Sequence, residues 1–385
     1  MLNNIFGNRH FRQTLVTVLV TFFVTSAGFL AAYNLFLRPQ LKEGAVVLDV
    51  LHQVERNALS EPELVRLKQG AIDGIIASTD DPYSYYLPPR RFLEMAHENE
   101  GYFEGVGIEV MMEKEGLRVI APIRDTPADL GGMQPKDLII AVDGTSTAGM
   151  TVNQAISRIR GPEGTEVDLE VLRDGEDRSR HFRLIRGKIP IETVDGEMLA
   201  NKIGYIVIDN FSDTTAAEFD VIFKRLQDEG ARGLVLDLRN NPGGSVKSCA
   251  EIAQRIVPRG RIVTVRYRDG SENVYKSELD KLVMPYVVLV NGGSASASEI
   301  LTGAVQDSKV APIIGTTTFG KGVVQTVSSL GNGGGLILTV AEYMTPKGRK
   351  IHEKGITPDY IIEQPDESET DVQLEFALEK LLESI

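Results

Sequence analysis

The spacing of apolar residues changes character several times along the chain, and each change marks a different kind of element. Leu15 to Leu37 is an almost unbroken apolar run, with no charged residue between Arg12 and Arg38. Such a run is long enough to cross a hydrocarbon core of roughly 30 Å as a helix. Arg9 and Arg12 precede it, so the positive-inside rule places the N-terminus in the cytoplasm and the rest outside. A cleaved signal peptide, with Ser26-Ala27-Gly28 as the small residues, and a buried core helix are the competing readings. The run exceeds the usual signal core of about 7–15 residues. An uncleaved anchor is therefore expected, with residues 15–37 in contact with membrane and residues 1–38 as cytoplasmic end plus anchor or signal.

Residues 39–100 follow with helical spacing: Val47, Leu48, Leu51 and Val54, then Leu64, Leu67, Ala71 and Ile75. Ser60-Glu61-Pro62-Glu63 predicts a helix start, with serine as cap and an early proline. No chemistry is visible here, and a packing or dimerising arm is the expectation, which makes a homodimer or higher oligomer a candidate assembly. Residues 101–188 turn to short strands with Asp143-Gly144 and Asp174-Gly175 as turn dipeptides. The strands are Val106–Met111, Leu117–Ile120, Leu138–Val142, Val167–Val171 and Phe182–Ile185, with helices at Pro127–Leu130 and Thr151–Arg160. A segment of this size can form its own domain.

From Ile189 the chain alternates strand and helix: Ile203–Ile208, Ala216–Leu226, Gly233–Leu238, Val246–Ile256, Tyr286–Val290, a helix opened by Ser296, Val310–Ile314 and Leu336–Tyr343. Continuous apolar strands separated by helices predict a layered α/β domain with a covered sheet, residues 189–362. Residues 363–385 are acid-rich and predict a solvated tail helix, Val372–Leu382.

Composition narrows this picture. A formal net charge of -13 argues against a nucleic-acid partner, because phosphate binding needs a basic surface. The single Cys249 excludes an intramolecular disulfide and a cysteine zinc cluster. The five histidines lie scattered, so no metal site and no organic cofactor is implied.

The candidate chemistry lies at Ser296 and, 25 residues on, Lys321. A serine needs a base to become a nucleophile, and a buried neutral lysine supplies one where histidine does not. Ser296 follows an apolar strand and a glycine pair and opens a helix, whose N-terminus offers free amides and a positive dipole end. The Ala297 amide is then placed to stabilise an oxyanion, and Gly243-Gly244, also between strand and helix, is the obvious second source. Each residue alone has a plainer reading: a capping serine among small packing residues, and a solvated loop lysine. For Lys321 to act as base, its pKa must fall from about 10.4 to near 7, at a cost of roughly 4 kcal/mol that burial can impose. Phe319, Val323 and Val324 are candidates for that apolar surrounding, and Gln325 for a hydrogen bond to the amine.

Three stretches together resemble the signatures of the carboxyl-terminal processing (tail-specific) proteases: Gly293 to Ile300, Phe319 to Gln325, and Leu236 to Gly244. Tyr343-Met344-Thr345-Pro346, Gly355-Ile356-Thr357-Pro358-Asp359 and Asp81-Pro82-Tyr83-Ser84 match further stretches, so the resemblance covers about residues 45 to 360. It implies a core similar to the crotonase and caseinolytic-protease α/β superhelix, with Ser296, not Ser294 or Ser298, as nucleophile. It also implies Lys321 as base, Gln325 as its orienter, and the amides of Gly244 and Ala297 as oxyanion hole.

Residues 101–188 resemble a PDZ domain. Gly105-Val106-Gly107-Ile108 stands where that family binds a peptide carboxylate, and the following strand would receive a protein's C-terminal tail by strand addition. Apolar Val106, Ile108 and Val110 predict a preference for tails ending in small or apolar residues. Arg160, ending the second helix, is a candidate link to the catalytic residues. With the N-terminal run read as an anchor, the resemblance leads to a membrane-anchored serine endopeptidase acting on exported proteins outside the cytoplasmic membrane; the alternatives are a non-catalytic PDZ adaptor and a crotonase-like acyl-transfer or hydratase enzyme.

Overall fold

The computed structural model describes residues 9–32, 38–60, 62–176, 178–365, 368 and 370–385. Two compact units divide the chain, Met1–Tyr86 and Leu87–Ile385. In the first, the apolar run is helical as α1 (Arg9–Ala32), followed by α2 (Arg38–Asn57) and α3 (Leu64–Ala77). Residues 33–37 of the expected span lie outside the described residues. Among the described residues, no helix is long and apolar enough to cross a membrane. Helix α3 begins later than expected: its N-cap is Glu63, without a side-chain cap, and Ser60 lies before it. Pro62 explains the shift, because proline disfavours the helical region for the residue preceding it.

The second unit opens with α4 (Pro89–Asn99). Strand β1 (Tyr102–Gly105) leads into the antiparallel sheet of the PDZ-like module. This is built from β2 (Ile108–Met112), β3 (Leu117–Pro122), β4 (Leu138–Val142), β5 (Glu166–Leu172) and β6 (Arg180–Ile185), in the order β2-β3-β4-β5-β6. Helices α5 (Pro127–Leu130) and α6 (Val152–Ile159) pack on it. The Thr151 hydroxyl and the Gln154 side chain cap α6 reciprocally, which fixes its start. The module has its own core, with Leu117, Ile139, Val167, Leu169 and Val171 fully buried. β7 (Gly187–Pro190) pairs back on β1 as the chain leaves.

The catalytic-side sheet runs β8 (Val194–Leu199), β9 (Ile203–Ile208), β10 (Gly233–Asp237), β13 (Tyr286–Val290), β14 (Ile313–Gly315) and the short β17 (Tyr360–Ile361). β8 and β9 form an antiparallel pair and the rest are parallel, with Leu236 opposite Val288. Between them come α7 (Thr215–Asp228), α8 (Val246–Ile256) and α9 (Ala297–Ser308). A second, antiparallel sheet holds β11 (Gly260–Tyr267), β12 (Glu272–Ser277), β15 (Val323–Ser329) and β16 (Gly335–Met344). The β11–β12 hairpin was not anticipated, since Arg266, Arg268, Glu272 and Lys276 dilute its apolar pattern.

Every residue of β10 and β13 is buried, which accounts for their continuous apolar runs. Leu234, Leu236, Val288 and Val290 face the core shared with α7, α8 and α9. Val235, Val287 and Leu289 face the other way, onto α10 (Val372–Leu382). The expectation of a solvated tail helix is therefore corrected. Ala377 and Leu381 are fully buried, and full burial of a leucine stabilises by about 1.5–3 kcal/mol. The acidic residues that suggested solvation have work of their own: Asp371 caps the Leu374 amide and pairs bidentately with Arg239 (2.8 and 2.7 Å), beside Asp237 at the end of β10.

Candidate active site

Three serines alternate before and within the first turn of α9, and their surroundings separate them. Ser294 and Ser298 are fully buried, with hydroxyls donated to the Leu238 and Asn241 carbonyls (2.7 and 3.0 Å). Ser296, between them, is half-buried and caps the helix with φ 53° and ψ -111°. A left-handed φ on a non-glycine residue is strained and persists only where neighbours enforce it. Here the enforcement is Glu299, three residues on, whose carboxylate accepts the Ser296 amide at 3.0 Å. Its position is the N3 of a capping box.

The same carboxylate reaches the lysine loop. Glu299 is wholly buried and accepts the Lys321 amide (2.8 Å), the Gly320 amide (2.8 Å) and the Thr318 hydroxyl (2.6 Å). Four donors thus satisfy one buried carboxylate, and they come from both halves of the expected pair. Tyr343, buried on β16, adds a second tie: its hydroxyl lies 3.0 Å from the Ser296 carbonyl and 2.5 Å from that of Lys321. Sequence reasoning missed both residues. The Ser-x-x-Glu spacing held a signal for Glu299; Tyr343 stood in the family-like stretch Tyr343 to Pro346, but its bonds to the two loops were not foreseen, because it arrives from another sheet.

Lys321 is half-buried in the loop before β15, and Gln325 is half-buried within that strand. A register shift between Val324 and Gln325 interrupts the pairing with β16. Val324, expected beside the lysine, packs against the main core. Phe319, expected to help bury the lysine, is itself 58% exposed, and its amide is held by the Ser294 carbonyl.

The glycine loop after β10 is built against the serine turn. Asn241, fully buried, donates to the Ile208 carbonyl and accepts the Gly243 amide (2.7 and 2.8 Å); its own carbonyl accepts the Ala295 amide (2.9 Å). The Gly243 donor is thereby used. A Cβ at Gly243 would stand 2.8 Å from the Ala297 nitrogen, so the loop touches the helix N-terminus. Gly244 bridges Phe211, and the Gly243 carbonyl and Ser245 amide make the two bonds. Both glycines have positive φ, 100° and 136°, and the bridge fixes Gly244 against Phe211. A Cβ there would lie 2.0 Å from the Phe211 carbonyl oxygen, so no other residue fits. Cys249 donates its thiol to the Ala297 carbonyl at 3.1 Å, and full burial pushes its pKa up, which leaves it unreactive.

In the PDZ-like module, Gly105 ends β1, Val106 is buried, Gly107 has φ 77° and Ile108 opens β2. Among the described residues β2 pairs with β3 alone, and residues of β2 and α6 line a common cavity. Its volume is about 80 Å³, and it is lined by Gly107, Ile108, Val110, Ile156 and Ile159 among others. Arg160 caps the end of α6, lies 4.7 Å over the Phe103 ring and pairs with Glu98 at 3.5 Å, so these contacts run to β1 and α4. Among the described residues, no group of three or more His, Cys, Asp or Glu side chains is placed to hold a metal ion.

Comparison with known proteins bears directly on this arrangement. The model of peptidase family S41 matches residues 202–362, and a PDZ domain model matches 118–173. The carboxy-terminal processing protease CtpA of Bacillus subtilis (strain 168) is 42% identical over 317 residues, covering 82% of this chain and 68% of that protein. The chain belongs to peptidase family S41. A carboxyl-terminal-processing protease of Synechocystis sp. is 37% identical over 324 residues, covering 81% and 76% of the two chains. Among solved structures, the photosystem II D1 C-terminal processing protease matches 88% of this chain and 96% of its own, at 30% identity and a TM-score of 0.50. This S41 chain is accordingly a serine-type, carboxy-terminal processing peptidase with a PDZ domain and a mixed α/β fold. The resemblance holds at the level of family, of activity and of a mixed α/β fold with a PDZ domain.

Proposed function

We propose that Ser296 is the nucleophile of this peptidase and Lys321 its general base, with Gln325 orienting the amine. The amides of Gly244 and Ala297 are the oxyanion hole. Ser296 attacks a peptide carbonyl, its proton passing to the Lys321 amine; an acyl-enzyme forms as the amine product leaves, and water releases the acid. The observation that carries this reading is Glu299, whose single carboxylate holds the amides of both Ser296 and Lys321. Charge on the tetrahedral oxygen would meet two preset donors, each worth roughly 3–4 kcal/mol of transition-state stabilisation.

The PDZ module is proposed to capture the C-terminal tail of a protein substrate on the β2 edge, its carboxylate held at Gly105 to Ile108. The uncharged stretch between Arg12 and Arg38 supports a single-pass anchor, with the catalytic part on the extracytoplasmic side. Exposed Val46, Val47, Leu48 and Val50 on α2 and Leu64, Val65 and Ile75 on α3 support self-association through that arm.

The deciding experiment uses the purified chain and an unfolded protein substrate. Ser296→Ala and Lys321→Ala are each expected to lower kcat by about 10⁴-fold or more. Full-rate cleavage by either variant refutes the pair. Peptides with free and with amidated C-termini, cleaved equally well, would refute carboxylate recognition.

A further inference from the structure

The oxyanion loop is supported from behind by a run of hydroxyl groups. The peptide between Phe211 and Ser212 is held at both ends: its carbonyl accepts the Ser245 amide (2.7 Å), and its N–H donates to the Thr215 hydroxyl (2.8 Å). The Thr215 oxygen lies 2.6 Å from that of Thr193. The Thr193 hydroxyl donates to Glu218 at 2.8 Å, and the Thr193 amide reaches the same carboxylate oxygen at 2.7 Å. The other carboxylate oxygen accepts the Thr214 hydroxyl at 2.6 Å. Because a carboxylate only accepts, the proton directions follow: Thr215 donates to Thr193, Thr193 donates to Glu218, and Thr215 is left to accept the Ser212 N–H.

Thr193, Ser212 and Thr215 are all buried, so solvent does not substitute for a missing partner. Such a satisfied buried network specifies one geometry, and losing a member leaves its neighbours with longer bonds, as of Thr215 to the Asn210 carbonyl at 3.3 Å. Phe211 is the residue against which Gly244 lies with no room for a Cβ. The orientation of the Phe211–Ser212 peptide therefore sets where the Gly244 amide stands. Both connections of the PDZ module end on this same cluster. Asn99, before β1, accepts the Asp213 amide at 2.8 Å; Ile191, after β7, donates to Gly101 at 2.8 Å, two residues before Thr193.

We propose that Glu218 is a positioning residue for the oxyanion hole, acting through Thr193 and Thr215 on the Phe211–Ser212 peptide and so on Gly244. The inference rests on the assignment of the Gly244 amide as an oxyanion donor. Removing the carboxylate or the Thr193 hydroxyl loosens the donor without touching substrate, so transition-state binding suffers and ground-state binding does not.

The test uses the full chain with a fluorogenic peptide ending in two alanines and a tripeptide aldehyde that forms a tetrahedral adduct with the serine. Thr193→Val and Glu218→Ala are expected to lower kcat at least tenfold with KM within twofold, and to weaken the aldehyde at least tenfold. Thr193→Ser, which restores the hydroxyl, is expected to stay within threefold of the parent in both. Thermal unfolding separates misfolding from misplacement, and the serine variant gives a folded comparison. Equal kcat and aldehyde affinity in Thr193→Val, Glu218→Ala and the parent overturn the proposal. So does a loss confined to KM. Full activity in Ser296→Ala, or a parent that does not bind the aldehyde, would instead overturn the underlying assignment of the hole.

Discussion

The serine corner and the PDZ groove are the two sites proposed to hold peptide, and they are built by opposite means. At Ser296 the backbone itself is immobilised: a buried carboxylate takes four donors, and Gly244 leaves no space for a Cβ. At the PDZ groove the binding elements are an unpaired strand edge and half-buried Ile108, Val110 and Ile156. A catalytic corner needs donors fixed before charge develops, since reorganisation during the reaction would cost rate. A tail-binding groove needs main-chain complementarity and tolerant apolar contact. Rigidity is thus spent where the transition state demands it.

Three substitutions break or sharpen this contrast. The largest effect is expected from Glu299→Gln, because the amide nitrogen must face two donors whichever way it turns. A fall in kcat of about 10- to 100-fold at nearly constant KM, equivalent to roughly 1–3 kcal/mol, should appear in steady-state kinetics. A change in KM alone would mean that Glu299 serves the groove and not the corner. Next is Ile156→Glu on α6, which places a charge in the small groove. KM for a peptide with a free C-terminal tail should rise about tenfold while kcat at saturation is kept; a collapse of kcat would deny the separation of the two sites.

The smallest effect concerns Asp371→Asn. Asparagine keeps the helix cap, so the change isolates the bond to Arg239. Burial opposes charge on Asp371, but the Arg239 guanidinium and the Leu374 amide outweigh it and hold the pKa below the ordinary 3.8. A lowered folded-state pKa gives stability that is present above the unfolded value and lost as pH falls through the folded one. Asp371 is about a third exposed and Arg239 keeps Asp237, so the loss should be about 1 kcal/mol, a few degrees in melting temperature at pH 7. The gap between variant and parent should close below pH 3.8. A gap that persists at pH 2 would place the stabilisation elsewhere.

Much of the fold was legible because local patterns suffice for it. β4, β9, β13, α8 and α10 begin and end where periodicity and turn residues place them. The β11–β12 hairpin escaped notice because its charged residues mask the period of two. The tail helix was misjudged for a related reason: Glu375, Glu379 and Glu383 mark a wet face, while Ala377 and Leu381 on the dry face need a sheet to be recognised. Within the site, Ser296 and Lys321 were visible as a spacing, and Gly243-Gly244 as a strand-to-helix loop. The bonds of Tyr343 and of the Thr193–Thr215–Glu218 run were not, since hydrogen bonds across sheets leave no periodic trace.

By itself the sequence determined the family, the order of modules and the candidate residues, because these are written in contiguous runs of a few residues. Only the tertiary structure decided which of three serines is not fully buried, and that one buried glutamate joins the serine turn to the lysine loop. It also decided that the acidic C-terminal helix closes the second face of the sheet. The physical reason is common to all three: burial and hydrogen-bond satisfaction belong to pairs of segments distant in sequence. No single segment records its partner.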